Sequence, residues 1–161
     1  MNPSIELRIK TMIRALTEII IPAVDQNNSL AQEQAGLLVG HLNVLLAHQG
    51  REHLMRNVEH EALKELGTAL VAESDGGDVT MAASASLNEH IKHSDIDSLA
   101  HAIEKLVVDA GVDGSDAFKS VCNTLVIQHA RAETLRARIW FKAIGFDHDP
   151  GTLPEIDELF R

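Results

Sequence analysis

The sequence predicts an all-α protein, an antiparallel bundle of five to seven helices. Apolar residues recur at three- and four-residue steps along every long segment, as they do on one face of an α-helix. The turns at 26–28, 49–50 and 111–114 are short, and short turns place consecutive helices antiparallel. No segment shows a clear alternation of apolar and polar residues, which is the pattern of a half-buried strand.

Length and charge bound the class of protein. The chain has 161 residues and a net charge of −10. We expect one helical-bundle domain over 1–146 and a tail over 147–161 with a possible short helix from Pro154. The acidic charge argues against a general nucleic-acid binder or a protein of anionic membrane surfaces. No segment is long and apolar enough for a membrane span. The single cysteine and the charged N-terminal segment favour a cytoplasmic protein.

The first helix is predicted from about Pro3 to about Asp25, with the Asn-Pro pair as its cap and first turn. Pro22 lies inside the pattern and predicts a kink or an end near Ile21. Leu7 and Ile21 lie off the apolar stripe and leave surface that a second copy could bury, so we expect a homodimer. The stripe consists of Ile5, Ile9, Met12, Ile13, Leu16, Ile19, Ile20 and Val24.

The second helix, about 29–49, is apolar on nearly every side, and His41 is one of only two strongly polar residues in its long apolar run. A helix without a polar face belongs in the middle of a bundle, so we expect the other helices to surround it. Gly36 and Gly40 each cost about 1 kcal/mol in a helix interior. Their spacing of one turn therefore indicates the close approach of a neighbouring helix.

The remaining long segments are also helical in pattern. Gly50, Gly111 and Gly145 are expected to end helices. The loop Ser-Asp-Gly-Gly-Asp at 74–78 is the clearest break in the chain. The predicted helices run over about 51–73, 80–93, 95–110 and 115–144.

Residues 88–105 contain three histidines among several carboxylates and admit two interpretations. In the first, His90 and His93 share a helix face and bind a metal. However, the sequence contains neither the Glu-x-x-His of di-iron bundles nor a His-x-x-x-His pair. In the second, Ser94 caps a new helix, and acids and cations match the dipoles of two helix ends. We favour this helix junction, and we predict no metal site and no cofactor.

His41 and His129 are the first candidate ligand-binding residues. His41 lies in the apolar second helix, and His129 interrupts the apolar stripe of the last long helix. A buried imidazole needs a hydrogen-bond partner. Each is therefore either a satisfied core histidine or a polar group in an apolar pocket. We expect His41 to be the histidine whose replacement costs most stability.

The last long helix also carries four cations near its C-terminal end: Arg131, Arg136, Arg138 and Lys142. Cations are favourable there without any ligand, because they meet the negative end of the helix dipole. They can also pair with the acids of the tail. Arg131 and Arg138 are candidates for contact with a phosphate or carboxylate ligand.

No pattern assigns a reaction. Candidate nucleophiles such as Cys122 lack the context of a nucleophile elbow, so the sequence favours a protein without catalytic activity. We expect a non-catalytic interaction or accessory protein, oligomeric, with protein partners rather than nucleic acid or membrane. The alternative is a bundle that binds a small ligand or metal through a pocket near His41 and His129.

Overall fold

The computed structural model describes residues 2–161 and confirms the all-α bundle, because the described residues form helices and turns and no strand. A π-helical turn, Leu16–Ile20, joins the first two helices, and short 3-10 helices follow the last one at Lys142–Ile144, Pro150–Thr152 and Ile156–Phe160. No described helix combines the length and the apolarity needed to cross a membrane. The α-helices are α1 (Ile5–Ala15), α2 (Ile21–Ala23), α3 (Ser29–His48), α4 (Glu52–Glu73), α5 (Asp78–His93), α6 (Ile96–Asp113) and α7 (Asp116–Trp140).

The start and end of the first helical segment follow from local hydrogen bonding. Ser4 caps α1, because its hydroxyl accepts the N–H of Leu7 at 3.1 Å. The helix therefore begins at Ile5, later than the Asn-Pro pair predicts. Pro22 has no N–H to donate, and the chain widens into the π turn before it and leaves the helix after Ala23. The predicted break near Pro22 is confirmed.

Two of the three predicted glycine ends are confirmed. Gly50 and Gly145 have φ angles of 77° and 87°, a conformation that favours glycine, and they follow α3 and the 3-10 turn after α7. Gly111 does not end α6, which continues to Asp113.

The described chain forms two compact units. Unit 1 comprises the residues up to His53 together with Arg136–Arg161, so both ends of the chain build it, and it includes the tail. Unit 2 is the continuous segment Leu54–Leu135. Unit 1 has eight basic and ten acidic residues, whereas unit 2 has six and fourteen, which gives net charges of −2 and −8. The single domain expected over 1–146 stays a prediction.

In unit 1, α1 packs against α3 in the antiparallel direction. Ile9 of α1, Leu16 of the π turn and Leu42 of α3 form a buried cluster, and Val39 and Leu46 pack against it. At one end of the pair, side chains from the start of α1 line a shallow depression together with side chains from the end of α3. The start of α1 therefore lies beside the end of α3.

The other neighbour of α3 is the 3-10 turn Lys142–Ile144. A Cβ added at Gly40 would stand 3.0 Å from the carbonyl oxygen of Ile144, so only glycine fits this approach comfortably. The predicted close approach is confirmed at Gly40. It is wrong at Gly36, where an added Cβ would meet no atom within 4 Å.

The expectation that other helices cover α3 on every side is wrong. Leu30, Leu38 and Leu45 are between 48% and 65% exposed. The buried positions of α3 include Gly40, Leu42 and Val44, which lie toward its two neighbours. Aliphatic residues on the remaining side are left in contact with solvent.

Unit 2 has its own core, contributed by four helices. Asp113 fixes one end of it, because its carboxylate accepts the N–H groups of Val79 and Thr80 and the Thr80 hydroxyl, at 2.9, 3.0 and 2.6 Å. An antiparallel bridge between Gly76 and Gly114 ties the same two loops together. The core residues are Leu66, Leu70, Ala83, Leu87, Leu99, Ala102, Ile103, Leu106, Ala110, Phe118 and Cys122.

The histidine-rich stretch 88–105 is a helix junction, as favoured. α5 ends at His93 and α6 begins at Ile96. The cap is Asp95 rather than Ser94, since the Asp95 carboxylate accepts the N–H of Ser98 at 2.9 Å. This hydrogen bond and the one from the Ser98 hydroxyl lower the pKa of Asp95.

Candidate interaction surface

The exposed side of α3 carries a regular apolar stripe. Leu30, Gln34, Leu38, His41 and Leu45 follow one another at steps of four, four, three and four residues, and all five are exposed. This spacing resembles one half of a coiled-coil seam. The stripe contains no Asp, Glu, Lys or Arg, although solvent-facing helix surfaces are normally rich in them.

A second stripe lies on α1 and the π turn. Ile5, Met12 and Ile19 stand seven residues apart and are 64%, 46% and 67% exposed. They alternate with Ile9 and Leu16, which are buried against α3. The apolar surface of α1 is therefore wider than α3 can cover.

The two stripes face the same side of the antiparallel pair. On α3, Leu38 and Leu45 each precede a residue that packs toward α1, which turns the stripe by about 100° from the contact line. On α1, Met12 likewise precedes Ile13, a residue of the contact. The two helices of an antiparallel pair are related by a two-fold axis perpendicular to both. Each stripe is rotated in the same direction about its own helix axis, away from the line of contact, so both stripes lie on one side of the pair. We call this surface, formed by Ile5, Met12, Ile19, Leu30, Leu38 and Leu45 with Gln34 and His41, the α1–α3 face.

His41 is on the α1–α3 face and is exposed, so the expectation that it is the key buried histidine is wrong. His48, two turns further along α3, is buried instead, and its exposed fraction is 9%. The cause is the close approach at Gly40. Gly40, Val44 and His48 lie four residues apart and share the buried side, whereas His41 points away from it.

His129 is half-buried on α7, and its Nε2 atom lies 3.9 Å from the Glu133 carboxylate. It belongs to unit 2, whereas His41 belongs to unit 1. Arg131 is exposed beside Ile127 on the same helix, at a shallow depression. The ligand-binding roles expected for these residues stay predictions.

Arg138, the fourth candidate, holds the tail. Its guanidinium donates to both carboxylate oxygens of Asp147, at 2.8 and 3.0 Å. This contact holds the pKa of Asp147 well below its ordinary value. The pairing of the last helix's cations with the acids of the tail, noted from the sequence, is therefore present at this position.

Two more ion pairs hold the tail. Arg51 donates to Asp157 at 2.8 Å, which lowers the pKa of that carboxyl. Lys142 donates to Glu155 at 2.8 Å and to the carbonyl of Leu153 at 3.1 Å. The short helix expected from Pro154 is present as the 3-10 helix Ile156–Phe160, with a capping box between Glu155 and Glu158.

An aromatic cluster at the end of α7 was not predicted. The His48 ring stacks on Trp140 with centroids 3.7 Å apart, and its Nε2 atom donates to the Trp140 carbonyl at 2.8 Å. Phe160 in the tail packs edge-on against the same indole, with the two ring centroids 6.4 Å apart. The eight-residue spacing of Gly40 and His48, about two helical turns, was the available signal, because a close-contact glycine marks the buried side.

No family model, curated protein or solved structure matches this chain. The His, Cys, Asp and Glu side chains that the structure describes form no group of three able to hold a metal ion. Function is therefore inferred from the surfaces and cavities of the chain itself.

Proposed function

We propose that this protein is a non-catalytic interaction protein that works as a homodimer, with two copies meeting through the α1–α3 face. The observation that carries the proposal is the pair of exposed apolar stripes. The stripe on α3 contains no charged side chain, and the stripe on α1 has one charged neighbour, Arg8, at its edge. Depletion of charge distinguishes the centre of a protein interface from the rest of a surface. Contiguous exposed apolar surface also marks interaction sites.

The charge distribution favours a second copy as the occupant. The chain carries a net charge of −10, of which unit 1 holds only −2. Two copies can approach through a mainly apolar face with little like-charge repulsion. A basic partner would instead be drawn to the acidic surface of unit 2. A mainly apolar face is also self-complementary, as a two-fold interface requires.

The area of the face suits the centre of a dimer interface. A fully buried aliphatic side chain removes roughly 60–120 Å² from water. Six such side chains that are about half exposed therefore offer on the order of 300 Å². A standard interface covers about 800 Å² on each partner, so polar side chains at the rim would supply the rest. We expect a dimer of moderate affinity.

Sedimentation equilibrium tests the proposal with two matched variants. Leu38→Glu puts a charge in the middle of the face, and Val108→Glu puts the same charge on another exposed aliphatic position, in α6. At about 50 µM, a micromolar dissociation constant populates the dimer. We expect the wild type and Val108→Glu to have twice the 17.6 kDa mass of the chain. Leu38→Glu should dissociate at least about tenfold more readily.

A wild-type monomer at this concentration would contradict the dimer. A dimer that Leu38→Glu leaves intact would contradict the proposed face. Leu38 is exposed in the single chain, so its replacement should leave the helical far-UV spectrum unchanged, and loss of helix would be inconsistent with its position.

We also propose that the protein is cytoplasmic and that its partners are proteins rather than nucleic acids. Cys122 is the only cysteine, so the chain cannot form an internal disulfide, which suits a compartment that keeps thiols reduced. The net charge of −10 supports the absence of nucleic-acid binding. Fractionation of cells and a nucleic-acid shift assay at low salt would test these two statements.

A further inference from the structure

Unit 1 contains a cavity of about 420 Å³ between the end of α7 and the tail. Ile139, Trp140 and Ala143 form its wall on the helix side, and Ile156 contributes from the tail. The volume falls in the usual range for small-molecule sites, which are mostly apolar with a few placed polar groups. None of its walls belongs to the α1–α3 face.

The walls of this cavity are held in place. The stack of His48 on Trp140, with an interplanar angle of 14°, fixes the indole. The tail is anchored by ion pairs from Arg51, Lys142 and Arg138. A cavity with fixed walls costs a ligand less free energy of ordering than one that must first form.

The polar groups of the cavity are one ion pair. Lys142 and Glu155 line it, and their side chains are 2.8 Å apart. Among the described residues, Glu155 and the Leu153 carbonyl use two of the three N–H donors of the Lys142 ammonium. The third donor can serve a ligand. Because the pair is neutral as a whole, a charged ligand would gain little net attraction to offset the cost of removing its charge from water.

We propose that this cavity binds a small uncharged molecule that is mainly apolar and presents one hydrogen-bond acceptor, a carbonyl or a hydroxyl, to Lys142. A water-sized group occupies about 30 Å³, so the cavity accommodates on the order of 14 non-hydrogen atoms. A two-ring aromatic or a medium-length aliphatic ketone has this size. The site is separate from the proposed dimer contact.

Three probes with the same ring system test the charge preference: 2-acetylnaphthalene, 2-naphthoate and 2-naphthylmethylammonium. Trp140 is the only Trp and the chain has no Tyr, so its emission reports binding at the cavity wall. We expect saturable quenching by the neutral ketone, and binding of each ion at least about tenfold weaker. Absence of saturable quenching by the ketone, or equal binding of an ion, would overturn the proposal.

Two variants locate the site. Ala143→Leu fills the cavity and should weaken ketone binding at least about tenfold. Glu155→Gln leaves Lys142 without its counter-charge, so it should strengthen binding of 2-naphthoate relative to the ketone. A gain of this kind does not follow from damage to the fold. Glu52→Gln removes a carboxylate elsewhere in unit 1 and should change neither affinity.

Wild-type affinity in Ala143→Leu, if it folds, would place the probe elsewhere, and an unchanged preference in Glu155→Gln would refute the role of the ion pair. Leu38→Glu, the variant designed to break the dimer, should bind the ketone as the wild type does. Loss of binding in that variant would assign the ligand to the α1–α3 face and refute this inference while leaving the dimer proposal intact.

Discussion

Replacement of His48 should destabilise the protein more than replacement of an exposed histidine. The imidazole is buried, stacks on Trp140 and donates a hydrogen bond to its carbonyl. Alanine at this position leaves the carbonyl without its partner and opens a void beside the indole. His101, whose side chain is 80% exposed on α6, provides the matched control.

The magnitude follows from three contributions. An unsatisfied buried carbonyl costs about 1–3 kcal/mol, the lost ring contact about 0.5–1.5 kcal/mol, and the lost burial about 1 kcal/mol. These effects overlap because they share one side chain, and we expect His48→Ala to lower the free energy of unfolding by about 3 kcal/mol. His48→Gln keeps a donor for the carbonyl but not the stack, so it should cost about 1–2 kcal/mol. His101→Ala should cost less than about 0.5 kcal/mol.

Urea unfolding followed through Trp140 emission measures these differences. With a slope of about 1–3 kcal/mol per molar urea, a loss of 3 kcal/mol lowers the midpoint by about 1–3 M. All variants should be compared at one protein concentration, because dimerisation raises apparent stability. Equal midpoints for His48→Ala and His101→Ala would refute the assignment of His48 to the core. A His48→Gln variant as unstable as His48→Ala would show that the stack, not the hydrogen bond, carries the effect.

Two further predictions concern glycine and pH. Gly36→Ala should raise the free energy of unfolding by up to about 1 kcal/mol, because Ala favours the helix and the position is open. Gly40→Ala should lower it, because the new Cβ meets the Ile144 carbonyl. Thermal melts that rank the two variants in the opposite order would disprove the packing of α3. The Thr80 hydroxyl, and then backbone N–H groups, hold the pKa of Asp113 below its ordinary value of 3.8, so its contribution to stability is present above that pH and is lost as the pH falls toward the folded-state pKa. The melting temperature should therefore fall on acidification below about pH 4, and Asp113→Asn should show a shallower fall; parallel pH curves would contradict this role.

Helix positions followed closely from the sequence because their ends are set locally. The junction at Asp95 and the turn at Gly50 depend on residues within one helical turn. The buried side of α3 did not follow in the same way. A helix that is apolar all round has no periodic contrast between inside and outside, so the sequence could not distinguish the side of His48 from the side of His41.

The candidate site depended even more on distant parts of the chain. Opposite charges on α7 and the tail indicated that the two would pair, as Arg138 and Asp147 do. They did not indicate which cation meets which acid, or that a cavity lies beneath Ile156. Those features arise from the path of the tail over the end of α7, which joins residues far apart in sequence and has no local pattern.

The assembly of unit 1 from both ends of the chain has a consequence for synthesis. The segment Leu54–Leu135 is complete before Arg136–Arg161 is made, so unit 2 can fold while unit 1 still lacks its last part. At about 5–20 residues per second, the ribosome needs a few seconds for residues 136–161. During this interval α3 lacks Ile144, and His48 lacks its indole partner. Nascent chains halted before residue 136 should therefore display additional apolar surface on α3 and recruit chaperones until translation resumes.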